Sequence, residues 1–362
     1  MADAAVVTGA AGHVGSNLCA ALRADGHPVR AIDLREPVAA IRHGARWVRA
    51  DIRDPEAIAA AIDGCDIIYH TAAVISVVGD RGGLVRSVNV DGVRVLAQAA
   101  LDRGVRRLVH CSSVHAFDLA AMAGRAVDET AVRSLGPELP AYDRSKAAGE
   151  VELRRIVARG LDAVIVNPTA VIGPVDEAPS RMGSVLLAMW RRRLPLLTGG
   201  GFDWVDVRDV VAALRAAAVH GRTGENYLAA GHRRSIAALA QAAASVSGER
   251  VTARIVPIRA ARAIAPLADV LTRLTGTALL PTRESLHALA SFPAVDSTKA
   301  RRELGHRPRP LEETLEDLHA AFLRTGRLAR PPGAGSRQPS RYQRDAVVAA
   351  GPNGSGRNRA PG

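Results

Sequence analysis

The chain has 362 residues, room for one large or two small domains around a sizeable core. A hydrophobic content of 48% excludes disorder as the default, and with aromatics at 3% the core must be built from Ala, Val, Leu and Ile. A net charge of +12 admits an acidic partner. The arginines, however, are spread along the chain or gathered in the tail (Arg337, Arg341, Arg344, Arg357 and Arg359 against Asp345). No aromatic–basic interleaving accompanies them, so no nucleic-acid partner is expected. Cys19, Cys65 and Cys111 are odd in number and far apart, without disulfide or metal spacing. They fit a reducing, cytoplasmic setting and no bound metal. No basic n-region opens the chain and no apolar run approaches ~18 residues, so neither a secretory signal nor a transmembrane helix is expected.

Residues 4–8 are an apolar run ending at glycines, the pattern of a buried strand. The turn Thr8-Gly9-Ala10-Ala11-Gly12-His13-Val14-Gly15 leads into a helix over 16–25, stopped by Gly26-His27-Pro28. Further strands are predicted over 29–33, 47–51, 66–70, 107–111 and 163–166. Helices are predicted over 55–62, capped by Asp54, and over 88–102 and 142–159. This alternation implies an α/β protein: a parallel sheet with helices on both faces. Ligands meet such a sheet at the carboxyl ends of its strands, where Asp33, Asp51, His70, Ser112, Ser113 and Asn167 all fall. After Pro168 the pattern loosens, then returns as helical periodicity through Leu328. The apolar stretch 260–280, broken by Arg262, Asp269 and Arg273, reads as an amphipathic helix covering a site or a partner, with weak membrane association as the alternative. The expected organisation is a dinucleotide-binding domain over 1–170 and a smaller, mostly helical substrate region over 171–328 that returns to the sheet near 202–230. A disordered basic tail follows over 329–362.

Gly9, Gly12 and Gly15 follow a strand and open a helix. Their small size lets the backbone, with His13 and Val14, approach a pyrophosphate whose charge the helix N-terminus favours. An ordinary glycine turn is the other reading. Asp33, 18 residues beyond Gly15, can bond both ribose hydroxyls and repel a 2′-phosphate, which favours NAD over NADP; Arg35 works against that preference. Asp51-Ile52 either contacts an adenine edge or caps the next helix. Tyr142 and Lys146, four residues apart, share a helix face, where the ammonium is expected to favour the phenolate. A carbonyl that accepts hydride becomes an alkoxide and needs such a proton source and a hydrogen-bond donor.

In their order, Thr8 to Gly15, Asp51-Ile52-Arg53-Asp54, His70-Thr71-Ala72-Ala73, Ser112-Ser113, Tyr142 to Lys146, Asn167-Pro168 and Trp204 to Val210 carry a resemblance over residues 4–328. The chain resembles an extended short-chain dehydrogenase/reductase, of the branch with dihydroflavonol reductases, 3β-hydroxysteroid dehydrogenases and NAD-dependent sugar epimerases. The resemblance implies a Rossmann-type doubly wound sheet. It implies Tyr142 as general acid or base, and Lys146 holding the nicotinamide ribose and lowering the tyrosine pKa. Ser113, or its neighbour Ser112, would bond the reacting oxygen. Asn89 would support the lysine through water, with a capping or polar surface role as the alternative. Thr71, Ala72, Ala73, Asn167 and Pro168 would lie beside the cofactor. His70 is expected to be packed or bonded to backbone rather than catalytic. The segment 204–210 is expected to be structural, with Asp209 able to cap the next helix. Helices 88–102 and 142–159 would form a homodimer contact or else face solvent.

Val74, Ile75, Val77, Val78, Met182, Leu186, Leu187, Met189 and Trp190 would line an apolar site for a hydrophobic ketone or alcohol, although core packing explains much of the same pattern. Arg181 and Arg191-Arg192-Arg193 are the cations that a nucleotide-sugar diphosphate would need. Three readings follow: a reversible NAD(P)-dependent dehydrogenase, a nucleotide-sugar epimerase or dehydratase with tightly held NAD, and a dinucleotide sensor. A sensor needs none of Ser113, Tyr142 and Lys146.

Overall fold

The computed structural model describes residues 5–36, 44–122, 124–176, 179–194, 196–248, 253–275, 282–291 and 293–329, so the tail expectation lies outside the described residues. The strands are β1 (Ala5–Thr8), β2 (Val29–Ile32), β3 (Ala45–Val48), β4 (Ile67–His70), β5 (Arg107–Cys111), β6 (Ala163–Pro168), β7 (Ala170–Ile172), β8 (Leu196–Thr198), β9 (Gly201–Asp206), β10 (Asn226–Ala229), β11 (His232–Ser235) and β12 (Arg254–Val256). The main helices are α1 (His13–Ala24), α2 (Pro55–Ala61), α3 (Gly92–Asp102), α4 (Ala141–Val157), α5 (Arg181–Trp190), α6 (Val207–His220), α7 (Ile236–Ser247), α8 (Ile258–Thr275), α9 (Arg283–Ala290), α10 (Thr298–Leu304) and α11 (Leu311–Arg324).

Seven strands pair in parallel in the order β3-β2-β1-β4-β5-β6-β10. The short apolar runs are strands because successive side chains enter two different cores. Val7, Tyr69, Val109 and Val166 pack on one face with Leu18 and Leu22 of α1 and Val210 and Leu214 of α6. Val6, Ile68, Leu108 and Ile165 pack on the other with Ile58, Leu96, Leu153 and Ile156. Burial of each large aliphatic side chain contributes about 1.5–3 kcal/mol.

The sheet is built outward in both directions from β1 and β4, so its topological switch point lies between their carboxyl ends. Thr8 and His70 are register partners there. The late strand β10 joins the edge of the sheet beside β6. A separate three-stranded sheet, β11-β9-β7, and a third core hold the region after Pro168 together.

Two boundaries differ from expectation. The third strand is Ala45–Val48 rather than 47–51, because its register is set by pairing with β2, and Asp51 lies in the loop beyond it. The helix predicted over 88–102 opens with a π-helical turn, Ser87–Asp91, before α3. Such turns displace a side chain from the regular helix face and are frequent at functional sites; this one carries Asn89.

Candidate active site

The glycine turn is shaped by close backbone approach. Gly9 has φ +69°, and a β-carbon there would lie 2.5 Å from the Ala72 nitrogen at the end of β4. A β-carbon on Gly15 would lie 2.2 Å from the Gly9 carbonyl oxygen and 2.8 Å from the Thr71 hydroxyl. Gly12 meets only Gly9 O, at 3.1 Å, and as the N-cap of α1 it offers no side-chain cap. The first-turn amides of α1, from His13, Val14 and Gly15, are therefore available to an anion at the switch point. A dinucleotide pyrophosphate fits this cradle. Replacing Gly9 by Ala forces a β-carbon into backbone at a left-handed position. We expect Gly9→Ala to cost about 1–3 kcal/mol and to abolish NADH binding, read by denaturant unfolding and by fluorescence titration.

Asp33 stands beside the turn. Its Oδ2 accepts from Ala11 N at 3.0 Å and its Oδ1 from Arg35 N at 2.9 Å. This is the placement a ribose-reading carboxylate needs. The exposed Arg35 guanidinium sits 3.9 Å from the same carboxylate. Asp51 is ion-paired with Arg53 at 2.6 Å, and hydrogen bonds from Arg53 hold its carboxyl below the usual range. The helix cap at α2 is Asp54, which accepts from Glu56 N and Ala57 N, so the capping alternative for Asp51 is not the one realised. Ile52 is buried, its side chain occupying the space where Gly92 has no β-carbon.

Some predicted cofactor residues also have partners within the protein. The His13 ring bonds the Gly173 and Pro174 carbonyls at 3.2 and 3.3 Å. Asn17, which sequence reasoning missed, reinforces this link by donating to His13 O, Pro174 O and Val175 O. Thr71 Oγ1 donates to Thr8 O at 2.7 Å, which brings Ala72 and Ala73 against the glycine turn. Asn167 is fully buried. Its amide donates to Ser113 O at 2.9 Å and Glu150 Oε1 at 2.7 Å, and its carbonyl accepts from Asn226. It holds the serine loop, and with Pro168 ends β6.

The catalytic candidates converge at the ends of β5 and α4. Tyr142 and Lys146 lie on the first turns of α4. Ser113 follows β5, its Oγ accepts from His115 N at 3.2 Å and its hydroxyl acts to lower the Tyr142 pKa, while Ser112 Oγ is buried without a partner. Ser113 is thus the serine that acts on the tyrosine. Lys146 is buried and donates to Cys111 O at 3.2 Å. Burial pushes the Lys146 ammonium below its ordinary value. The expectation that this ammonium draws the tyrosine down is corrected for the protein alone: burial dominates and raises the Tyr142 pKa, and only the Ser113 hydroxyl opposes it. The phenol is held as a proton donor.

Asn89 is neither a cap nor a surface residue. It is buried, its amide both accepts from Val74 N (2.8 Å) and donates to Val74 O (2.9 Å), and it donates to Ser145 Oγ at 2.9 Å, one residue before Lys146. The π-helical turn aims it there, and Gly149 lets α4 approach, because a β-carbon on that residue would lie 2.3 Å from Asn89 O.

His115 was not assigned a role from sequence. Its ring meets Tyr142 edge-on at 5.8 Å, and Nδ1 lies 3.2 Å from Asp143 Oδ1 without hydrogen-bond alignment. Burial alone would lower its pKa, yet the Asp143 carboxylate outweighs burial and raises it. A histidine whose folded pKa exceeds the unfolded value of ~6.5 stabilises fully below that pH, and the contribution is lost as pH rises through the folded value. We expect the urea midpoint of the native chain, relative to His115→Gln, to fall across that upper window, measured by unfolding at stepped pH.

His70 is packed as expected. Thr8 Oγ1 pairs with its Nδ1 at 2.7 Å, its ring stacks on His110 at 5.1 Å, and burial pushes its pKa down to about 3, so it stays neutral. Asp206, rather than Asp209, caps α6, and Asp209 is instead bound by Arg309. Leu186, Leu187, Met189 and Trp190 belong to the third core with Leu239, Leu315 and Phe322 and do not line the site, because α5 turns this face inward. Beside His115 lies a hollow lined by Val114, Leu119, Ala170, Phe202, Pro293 and Val295, with Thr169, Asp203 and Ser291 as its other polar members.

An anion cradle at the switch point, a carboxylate beside it and a Ser–Tyr–Lys set at the next strand ends define a nicotinamide-dependent enzyme of the short-chain dehydrogenase/reductase type. The chain belongs to the NAD dependent epimerase/dehydratase family, whose model matches residues 5–230. It is 37% identical over 328 residues to sterol demethylase protein B of Methylococcus capsulatus, covering 89% of this chain and 99% of that one. It is 30% identical over 341 residues to a Synechocystis sp. protein provisionally named a dihydroflavonol 4-reductase, covering 90% and 96%. The solved structure of gox2253 superposes with a TM-score of 0.78 at 30% identity, covering 90% of this chain and 100% of that chain. The match to a family of NAD-dependent enzymes agrees with the residues of the cradle.

Proposed function

We propose that this enzyme reversibly interconverts a hydrophobic ketone and its secondary alcohol, with Tyr142 as general acid in the reduction. The observation that carries the reading is the convergence of buried Ser113 and Lys146 with half-buried Tyr142 where β5 ends and α4 begins. The cofactor, when bound, supplies hydride to the carbonyl carbon or accepts it from the alcohol. Ser113 Oγ donates a hydrogen bond to the carbonyl oxygen. Tyr142 gives that oxygen its phenolic proton, closing the balance to the alcohol, and takes it back in oxidation. Lys146 would hold the nicotinamide ribose, and Asn89, acting through Ser145 and the Val74 backbone, positions that lysine.

The apolar hollow beside His115 supports a hydrophobic substrate. The relatives named for sterol demethylation and dihydroflavonol reduction point the same way. The arginines a nucleotide sugar would need offer less: Arg191 donates to Arg327 O at 3.0 Å, and burial lowers the Arg181 pKa beside Glu284. Turnover of hydrophobic ketones with NADH, against a panel of nucleoside-diphosphate sugars, tests the reading; epimerisation of a sugar without net cofactor turnover would overturn it.

We also propose NAD over NADP, supported by Asp33 at the cradle. Asp33→Ala removes the carboxylate that a 2′-phosphate would meet and leaves Arg35. We expect the ratio of kcat/KM for NADH to that for NADPH to fall about tenfold or more. An unchanged ratio would show that Asp33 does not read the ribose.

A further inference from the structure

Helix α8 is folded with its small residues inward and its large ones outward. Ala261, Ala265 and Ala268 are buried, and the first two form a small core with Leu286 of α9. Ile264, Leu267, Val270 and Leu271 are exposed by 52%, 64%, 51% and 41%. At 3.6 residues per turn these four, with Ala260 and Ala263, occupy one continuous sector of about 120°. The exposed Arg259 borders one edge of that sector, the exposed Arg262 lies about 80° beyond the same edge, and the exposed Arg254 precedes the helix. The one carboxylate on the helix, Asp269, pairs with Arg283 of α9 at 3.6 Å. Ile255, on β12 just before α8, adds a further apolar side chain, 57% exposed. Among the described residues no helix is long and apolar enough to cross a membrane.

We propose that α8 docks this enzyme on the surface of a bilayer containing anionic lipid, lying in the interface with Ile264, Leu267, Val270 and Leu271 inserted and Arg259 and Arg262 at the headgroups. The charge pattern selects the occupant. An apolar stripe with unopposed arginines on one side is complementary to acyl chains beneath a negative headgroup layer. A second copy would offer these arginines from its own α8 only Asp269, the one carboxylate of that helix, which Arg283 already pairs. The helix packs on α9, which reaches the candidate site. The adjoining α9 sends Glu284 to accept from Gly79 N at 3.1 Å and from Ala141 N at 3.4 Å, so it ties the loop after β4 to the first turn of α4, beside Tyr142. A substrate dissolved in the bilayer would meet the enzyme on this side. The docking itself does not depend on what the substrate is.

The test is sedimentation of the full chain with vesicles of phosphatidylcholine alone and of phosphatidylcholine with phosphatidylglycerol. Binding is expected to the anionic vesicles, to weaken with salt, and to drop about tenfold or more in Leu267→Asp and in the Arg259→Glu/Arg262→Glu variant. All three positions point outward, and unchanged circular dichroism certifies the fold. Absence of binding to anionic vesicles, or binding indifferent to both variants, would overturn the proposal. So would a dimer seen by sedimentation velocity that Leu267→Asp dissociates without any vesicle binding. Vesicle binding is read without substrate, so its failure is separable from failure of the ketone assay.

Discussion

Tyr142→Phe is expected to lower kcat by about 10²–10⁴-fold while cofactor affinity stays within about twofold. The phenylalanine keeps the ring in its contact with His115 and removes only the hydroxyl. The proton that the nascent alkoxide needs then has to come from water, a less well placed donor beside the buried Ser113 and Lys146. Loss of a proton donor without loss of a binding contact reduces kcat and kcat/KM together. NADH titration of the same variant separates this outcome from a collapsed site, and near-native turnover would remove Tyr142 from the mechanism.

Glu150→Ala is expected to be the most destabilising single change, by about 3–5 kcal/mol. Glu150 sits one turn after Lys146 on α4 and is fully buried. Its carboxylate takes Arg133 at 3.1 Å, Arg154 at 3.3 Å, Asn226 at 3.0 Å and Asn167 at 2.7 Å. Removing it strands two guanidiniums and two amides around a cavity. Part of Arg154 reaches solvent, and that part of the penalty is relieved by hydration. Because Asn167 also carries the Ser113 carbonyl, the same substitution should loosen the serine loop and lower kcat. Denaturant unfolding with parallel kinetics checks both effects; a stability change below 1 kcal/mol would contradict the role given to this network.

The parts of the site legible in the sequence are those whose chemistry is local. The glycine turn, Asp33 at the end of β2 and the Tyr142–Lys146 spacing each need only one segment and its neighbours, and the structure puts them at one end of one sheet. The preference for Ser113 over Ser112 followed from the resemblance, since the sequence alone places both at the end of β5. The Glu150 network was not legible, because Arg133, Glu150, Asn167 and Asn226 come from four separate segments and share no spacing. Nor was the tyrosine's electrostatics: helical spacing puts Lys146 near Tyr142 but says nothing of how much water both lose, and burial wins. The apolar residues of 186–190 were ambiguous because lining and core share one periodicity, and only the packing of α5 on α7 decides for core. The helix expected across 260–280 is present as Ile258–Thr275, but its alanines rather than its large side chains face the protein, an inversion that pattern alone does not reveal.

The central claim is that hydride passes between a nicotinamide and a ketone at the Ser113–Tyr142–Lys146 site. NADH deuterated at the transferring carbon, incubated with purified enzyme and a panel of hydrophobic ketones, tests it most directly when the products are read by mass spectrometry. The account predicts one deuterium on the carbinol carbon of the product, loss of one reduced nicotinamide per alcohol formed, and neither event in Tyr142→Phe. Failure to bind NADH or NADPH would contradict it, as would cofactor retained throughout with sugar isomerised and no alcohol formed.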